Sequence, residues 1–180
     1  DVQIVALPRV VNLSKREADM AITVGAPTAG HLTVQRLSDY KLHLAAAPSY
    51  LEQAGPLNVK EDLSKHRMIG YIPDMIFDKE LDYLAALGIE RVPLASNSVA
   101  VQFHTIRQGA GLGIVHDFAL PSAPELRRVL MDEVSLTRSF YLVRHSSDRK
   151  LQRLNRFAET LAAELRAEVA HLESQCAVGL

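Results

Sequence analysis

The sequence has a single cysteine, Cys176, close to its end. A disulfide framework is therefore excluded, and a reducing compartment, the cytoplasm, is the expectation. No apolar run is long enough to span a bilayer, and no signal peptide is recognisable. Charge of one sign is also missing. The 20 Lys and Arg against 21 Asp and Glu leave a net charge of −1, with the two signs interspersed. Without a basic stripe, this segment is a poor candidate for touching DNA or RNA by itself. The seven histidines are scattered. None forms a spaced ligand pair on a helix, and His104 with His116 would be too few ligands for a metal. No phosphate loop is present either. Gly109-Ala110-Gly111-Leu112-Gly113 follows a helix and precedes a strand, the reverse of the dinucleotide-binding order, so it reads as turn geometry. No metal and no cofactor are expected. What the chain does have is 48% hydrophobic residues over 180 positions, enough for a real core in one domain or two small lobes. It starts at Asp1, almost directly in a strand, and so reads as a fragment or a processed chain.

The stretch that organises the rest is 91–121, RVPLASNSVAVQFHTIRQGAGLGIVHDFALP. Arg91 to Ala95 reads as a strand. Ser96, Asn97 and Ser98 are capping residues. Val99, Phe103 and Ile106 recur at helical spacing. Gly109 ends the helix, and Leu112 to Phe118 forms a second strand that Pro121 stops. Two strands joined by one crossover helix make a parallel unit, and such units place ligands outside the carboxyl ends of their strands. Those ends carry Ser96-Asn97-Ser98 and Val115-His116-Asp117. The Ser98 helix start would suit an anionic group, or the serines only cap.

Taken in order, Val2 to Leu7 reads as a strand, Arg9 to Arg16 as at most a helical turn, and Ala18 to Thr23 as a strand. Val24 to His31 is a loop by its Gly and Pro content. Leu32 to Tyr40 reads as an extended segment plus a turn, and Lys41 to Ala47 as a strand closed by Pro48. A short helix follows, stopped at Gly55. Asn58 and Glu61 have capping-box spacing for a helix through Lys65. Arg67 to Ile72 is a strand. Asp78 caps a helix lined by Leu81, Leu84 and Leu87, with Gly88 at its end. Leu126 to Met131 and Ser135 to Thr137 are weakly determined, while Ser139 to Arg144 is a strand. Ser147 caps a final helix of about 25 residues, with Leu151, Leu154, Phe157, Leu161, Leu165, Val169 and Leu172 along one face. Strands alternate with helices, so the expected class is α/β with mostly parallel sheets.

Catalysis finds little support. His116 as a general base with Asp117 as its orienter fails, because adjacent strand residues point to opposite faces. Ser98 lacks the glycine-flanked elbow of a nucleophile. Thr23, Tyr71, Ser98 and His116 all fall at or just past strand carboxyl ends, which favours a binding cleft, with Tyr71 to Asp74 as a wall.

Several stretches resemble the LysR-type transcriptional regulators. Leu13 to Ile22, LSKREADMAI, is similar to the family's "LSRREADIAIR". Lys41 to Leu51, KLHLAAAPSYL, resembles its strand followed by "P-S-Y-L". Gly109 to Pro121, GAGLGIVHDFALP, resembles its "G-x-G-I-x-x-L-P" return strand. The likeness runs from about Val2 to Arg166. It implies a bacterial effector-sensing domain of two Rossmann-like α/β lobes joined by crossing hinge strands, similar to type 2 periplasmic binding proteins. The hinge strands map onto Leu42 to Ala47 and Phe140 to Arg144. Residues 1–43 with 143–180 would form one lobe and 44–142 the other. A small effector, commonly an organic or aromatic acid, would bind between them. The corresponding positions are Thr23, Tyr71, Pro73, Ser96, Asn97, Ser98, Val115 and His116. The resemblance further implies DNA binding through an N-terminal head outside this segment, and a homodimer or homotetramer in the full-length protein. The family's DNA-binding head, its linker helix and the first strand and helix of the sensing domain would precede Asp1. His116-Asp117 departs from the family's apolar-proline ending of this strand. The competing expectation is a solute-binding module of the same fold for a small anionic ligand.

Overall fold

The computed structural model describes residues 1–6, 13, 17–28 and 30–177. In chain order these form β1 (Met20–Thr23), β2 (Leu32–Ala46), α1 (Pro48–Leu51), β3 (Met68–Gly70), β4 (Leu94–Ala95), α2 (Val99–Arg107), β5 (Leu112–His116), β6 (Arg127–Val129), β7 (Ser135–His145) and α3 (Gln152–Ala177), with short 3-10 turns between them. One sheet takes the strands in the order β1-β7-β2-β5-β3-β4, and β6 also pairs with β2.

The α/β class holds, but the sheet is mixed and not mostly parallel. β3 pairs in parallel with β4 and with β5, so the two strands of the 91–121 unit lie on either side of β3. Every pairing of β2 and β7 is antiparallel. Leu32 to Tyr40 is not a segment ending in a turn. It is continuous with the next strand, because β7 pairs with β2 from Leu32 to His43. β6 then takes over beside Leu44 to Ala46, while β5 covers the other edge from Leu42 to Ala46. Flanked on both edges and covered on both faces, Leu42, Leu44, Ala45 and Ala46 have no exposed surface.

The register of β2 slips between Arg36 and Ser38. This bulge inserts Leu37 and re-aims it. Leu37 is buried with Leu142, Ala158 and Ala162, and its carbonyl accepts from Arg166 Nε at 2.6 Å. α3 thus lies against the sheet through two alanines, each 2% exposed. The expected leucine face is rotated: Leu161 and Leu165 are half-buried, while Leu151 and Phe157 are exposed. Small residues let the helix approach closely, so its deepest line is not its most hydrophobic one. Ser147 does not cap α3. It lies in the 3-10 turn Ser146–Lys150, where its N–H donates to His145 Nδ1.

Other elements are shorter than expected. The strands over Ala18 to Thr23, Arg67 to Ile72, Arg91 to Ala95 and Leu112 to Phe118 contract to β1, β3, β4 and β5. Residues 2–6 form no strand, and Ile4 is 91% exposed. The turn expected over Arg9 to Arg16 lies outside the described residues, except for Leu13. Lys60–Lys65 is a 3-10 helix, and Asp62 rather than Glu61 reaches back, accepting from the N–H groups of Asn58 and Val59. The Asp78 to Gly88 helix is two 3-10 turns, Lys79–Leu81 and Ala85–Leu87. Its logic survives the change. Asp78 accepts from Glu80 N–H at 3.0 Å, Leu81, Leu84 and Leu87 are buried, and Gly88 supplies the left-handed φ of 73° that ends the segment.

Candidate functional site

β3 and β5 are parallel, so their carboxyl ends lie together. Tyr71 follows β3 directly, and His116 ends β5. The first turn of α2 and the 3-10 turn Asp117–Ser122 rise beside them. Between these elements is a cavity of about 300 Å³. Val115 and Phe103 contribute from one face of β5, and Ile114 and His116 from the other. Val24, Leu81, Tyr83, Phe118, Ala119 and Phe140 complete its depth, with Val99 and Ala100, both exposed, at its mouth.

Aromatic rings dominate the wall. Tyr40, buried behind it, stacks on Phe140 at 4.2 Å and tilts against His116 at 5.3 Å. His116 lies 5.0 Å from the Phe118 ring and meets Tyr83 edge-on at 6.4 Å. Tyr71 meets Tyr83 edge-on as well. This apolar company decides ionisation. Burial pushes the His116 imidazole down to about 4, against a smaller opposite pull from Asp117, so the ring is neutral at pH 7. Burial likewise pushes the Tyr40 phenol up to about 12 and raises those of Tyr71 and Tyr83. The Tyr40 and Tyr83 hydroxyls are buried and make no well-formed hydrogen bond, although each lies near enough to influence the other's ionisation. Arg138 sits 5.9 Å from the Tyr83 ring centroid and pairs with Glu80 at 3.0 Å.

Of the positions expected from the sequence, Tyr71, Val115 and His116 line this cavity. Thr23, Pro73, Ser96, Asn97 and Ser98 are not among its lining residues. The Thr23 hydroxyl donates to the Gly25 carbonyl at 2.7 Å, and Pro73 opens a 3-10 turn. Ser96 Oγ accepts from Ser98 N–H, and Ser98 Oγ accepts from Val101 N–H at 3.5 Å as the cap of α2. Their sequence neighbours Val24, Val99 and Ala100 do reach the cavity. Tyr83, Phe103, Phe118 and Phe140 were missed as wall residues. The alternation His116-x-Phe118 at a strand end was the available signal for one of them.

His116 and Asp117 part company as strand geometry requires. Asp117, 3% exposed, accepts from His43 Nδ1 at 2.8 and 3.0 Å and from Arg128 Nη1 at 3.3 Å. Arg128 Nη2 donates to the Cys176 carbonyl at 2.8 Å, and Cys176 Sγ donates to the Asp117 carbonyl at 3.0 Å. Burial raises the Cys176 thiol, as does the nearby Asp117. The end of α3 is thereby fastened to residues 117–128. A wider groove of about 790 Å³ runs along 60–68 and 87–93, lined by charges of both signs at the amino ends of β3 and β4 and not at their carboxyl ends. Among the described residues no group of three or more His, Cys, Asp or Glu could hold a metal ion, and no helix is long and apolar enough to cross a membrane.

A mixed sheet carrying a half-open cavity at the carboxyl ends of its parallel strands is the architecture of an α/β binding domain. The sequence profile of the LysR substrate binding domain matches residues 1–166, and the chain belongs to that family. Its fold is the type 2 periplasmic-binding-like fold of LysR-type regulatory domains. Among solved structures, the regulatory domain of CrgA, a LysR-type transcriptional regulator from Neisseria meningitidis, is 24% identical with a TM-score of 0.74, over 86% of this chain and 79% of that one. The regulatory domain of MetR, a LysR family regulator from N. meningitidis, is 20% identical with a TM-score of 0.62, over 84% of this chain and 72% of that one. OxyR of Corynebacterium glutamicum is 19% identical with a TM-score of 0.64, over 92% of this chain and 52% of that one. The chain thus spans about half of the longer regulators, 54% of the longer CrgA chain and 52% of OxyR. A comparison with curated proteins returned no match.

Proposed function

We propose that this chain is the effector-sensing part of a LysR-type transcription factor and that the cavity at the ends of β3 and β5 is where the effector binds. The observation that carries this reading is a half-open, mostly apolar cavity at the carboxyl ends of two parallel strands, with Tyr71, Tyr83 and His116 in its wall, the usual character and place of a small-molecule site. Residues 1–43 with 143–180 act as one lobe and 44–142 as the other, and β2 and β7 pass between them. Val24 comes from the first lobe and Tyr71, Val99 and His116 from the second, so an occupant touches both. A ligand shifts the balance between two lobe arrangements only as far as it binds one of them better. That shift is passed to a DNA-binding head outside this chain, in a cytoplasmic homodimer or homotetramer. No step of this reading requires catalysis.

The test is a thermal-shift panel of small organic molecules, acids and neutral compounds alike, against the wild type and Ala100→Trp. Ala100 is exposed at the mouth, so a large side chain there blocks entry without disturbing the core. A ligand at 100 times its Kd adds about 2.7 kcal/mol of stability. Stabilisation of the wild type that Ala100→Trp loses is the expected result. Stabilisation that persists in Ala100→Trp removes the cavity from the proposal.

A further inference from the structure

We infer that the cavity takes an uncharged, largely apolar molecule carrying one hydroxyl, with the hydroxyl met by the His116 imidazole and the apolar part lying among Phe103, Phe118 and Phe140. This rests on the reading of the cavity as the effector site and narrows it to a chemical class.

The wall decides the bulk of the ligand. Apart from Tyr71, Tyr83 and His116, every described side chain lining the cavity is apolar, and no Lys or Arg is among them. The Arg138 guanidinium beside Tyr83 is engaged elsewhere. Its Nε lies 3.0 Å from the Glu80 carboxylate, and its Nη1 donates to the Thr137 carbonyl at 3.0 Å. The start of α2 would favour an anion, but Ser96 Oγ already accepts from Ser98 N–H and Ser98 Oγ from Val101 N–H. A carboxylate in this cavity would give up its hydration and gain no cation. The volume of about 300 Å³ is roughly twice the 150 Å³ that accommodates benzene in an engineered apolar cavity, so one substituted ring fits.

The polar contact comes from His116. The Tyr40 and Tyr83 hydroxyls are sealed off and have only each other nearby, so neither reaches an occupant. His116 lines the cavity and is only partly buried. Its ring nitrogens make no hydrogen bond to a described residue, and they are not among the sealed atoms. Tyr40, Phe118 and Tyr83 hem the ring in at 5.3, 5.0 and 6.4 Å, so the surface it keeps opens on the cavity. Burial among these rings holds the imidazole neutral at pH 7, and a neutral imidazole has one N–H donor and one bare acceptor nitrogen. No hydrogen bond within the described chain fixes which is which. A hydroxyl both donates and accepts. It therefore meets whichever nitrogen faces it, and brings no charge into an apolar space. Tyr71, in the same wall, packs against one ring alone, that of Tyr83, so its hydroxyl depends less on an occupant than the hemmed-in imidazole does.

Three probes separate these contributions. Benzyl alcohol, ethylbenzene and benzoate share a ring and end in a hydroxyl, a methyl and a carboxylate. Each is titrated at pH 7.5, by protein chemical-shift perturbation, against the wild type, His116→Phe, His116→Leu, Tyr71→Phe and Ala100→Trp. The quantity read is the affinity for benzyl alcohol relative to ethylbenzene, in which the general packing effect of each substitution cancels. It should fall about fivefold in both His116 variants, the share of one hydrogen bond, and should hold in Tyr71→Phe. Two His116 variants keep the measurement open should one fail to fold. Benzoate should bind the wild type about tenfold more weakly than benzyl alcohol, and Ala100→Trp should abolish binding of all three. A relative affinity that holds in both His116 variants, or falls only in Tyr71→Phe, overturns the His116 contact and leaves the cavity as the effector site. So does benzoate binding more tightly than benzyl alcohol and lost in Ala100→Trp, which overturns the uncharged class. Binding of benzyl alcohol that survives Ala100→Trp overturns both readings. An absence of binding by all three probes in the wild type overturns this inference, and the wider panel then decides whether the cavity binds anything.

Discussion

His43 and His116 lie on adjacent strands with opposite outcomes. In the register, Leu42 faces His116 and His43 faces Val115, so the two imidazoles leave the sheet on opposite faces. His43 meets a carboxylate that is itself held by Arg128. His116 meets only rings, and the phenols near it go unanswered. The first face shows a polar group placed to hold structure, with every principal partner supplied by the chain. The second shows two buried phenols with little but each other to answer them. A buried group left poorly met costs stability, so the two faces should respond differently to deletion of their polar atoms.

The largest effect should come from breaking the answered face. Asp117→Ala strands His43 and Arg128 together, and a loss of about 3–5 kcal/mol is expected, read by urea denaturation. A loss under about 1 kcal/mol would mean that water replaces the carboxylate and that the two faces are less different than they look. Next is pH. His116 protonates more readily unfolded, near its ordinary value of 6.5, than folded, near 4. Stability is therefore full above about pH 6.5 and falls as the pH drops toward 4, by on the order of 3 kcal/mol. His116→Phe keeps a ring in place and should lose this share of the acid sensitivity. Parallel acid profiles for the two proteins would show that the imidazole titrates alike folded and unfolded.

Smaller still is a pair of identical chemical deletions. The Tyr50 hydroxyl accepts from Arg67 N–H at 2.8 Å and lies 3.3 Å from His66 Nδ1, so Tyr50→Phe should cost about 1–2 kcal/mol. Tyr83→Phe removes a hydroxyl that makes no well-formed hydrogen bond and has only the Tyr40 phenol nearby, so it should cost less than Tyr50→Phe. Equal losses would erase the distinction between met and unmet phenols. Ser98→Ala should cost the least, at or below about 1 kcal/mol, because its bond to Val101 N–H is long. With Ser98 outside the cavity wall, affinity for a cavity ligand should hardly change; a larger loss of affinity than of stability would bring the α2 start back into the site.

Local chemistry was the readable part of this fold. Asp78 and Gly88 bracket their segment, Pro48 closes β2 and opens α1, and Ser98 caps α2, because each acts on backbone within a turn or two. Pairing was not readable. Nothing near Leu32 announces that His145 lies opposite it, and the bulge at Leu37 exists only because β7 supplies the register to slip against. The site divides the same way. Tyr71 and His116 were legible as strand ends, a local property. Tyr83 and Phe140 reach the cavity only through the sheet, one from a 3-10 region and the other from the middle of a strand 57 residues later.

The long antiparallel embrace of β2 and β7 has a consequence for synthesis. The apolar end of β2 leaves the ribosome some 66 residues before β5, its first long-range partner, and about 90 before β7. At about 5–20 residues per second, Leu42 to Ala46 waits several seconds as an unpaired hydrophobic strand. Contacts this distant in sequence also slow the final closure. The newborn chain is accordingly expected to depend on a holding chaperone during that interval, and its yield should fall when translation is slowed between residues 46 and 112.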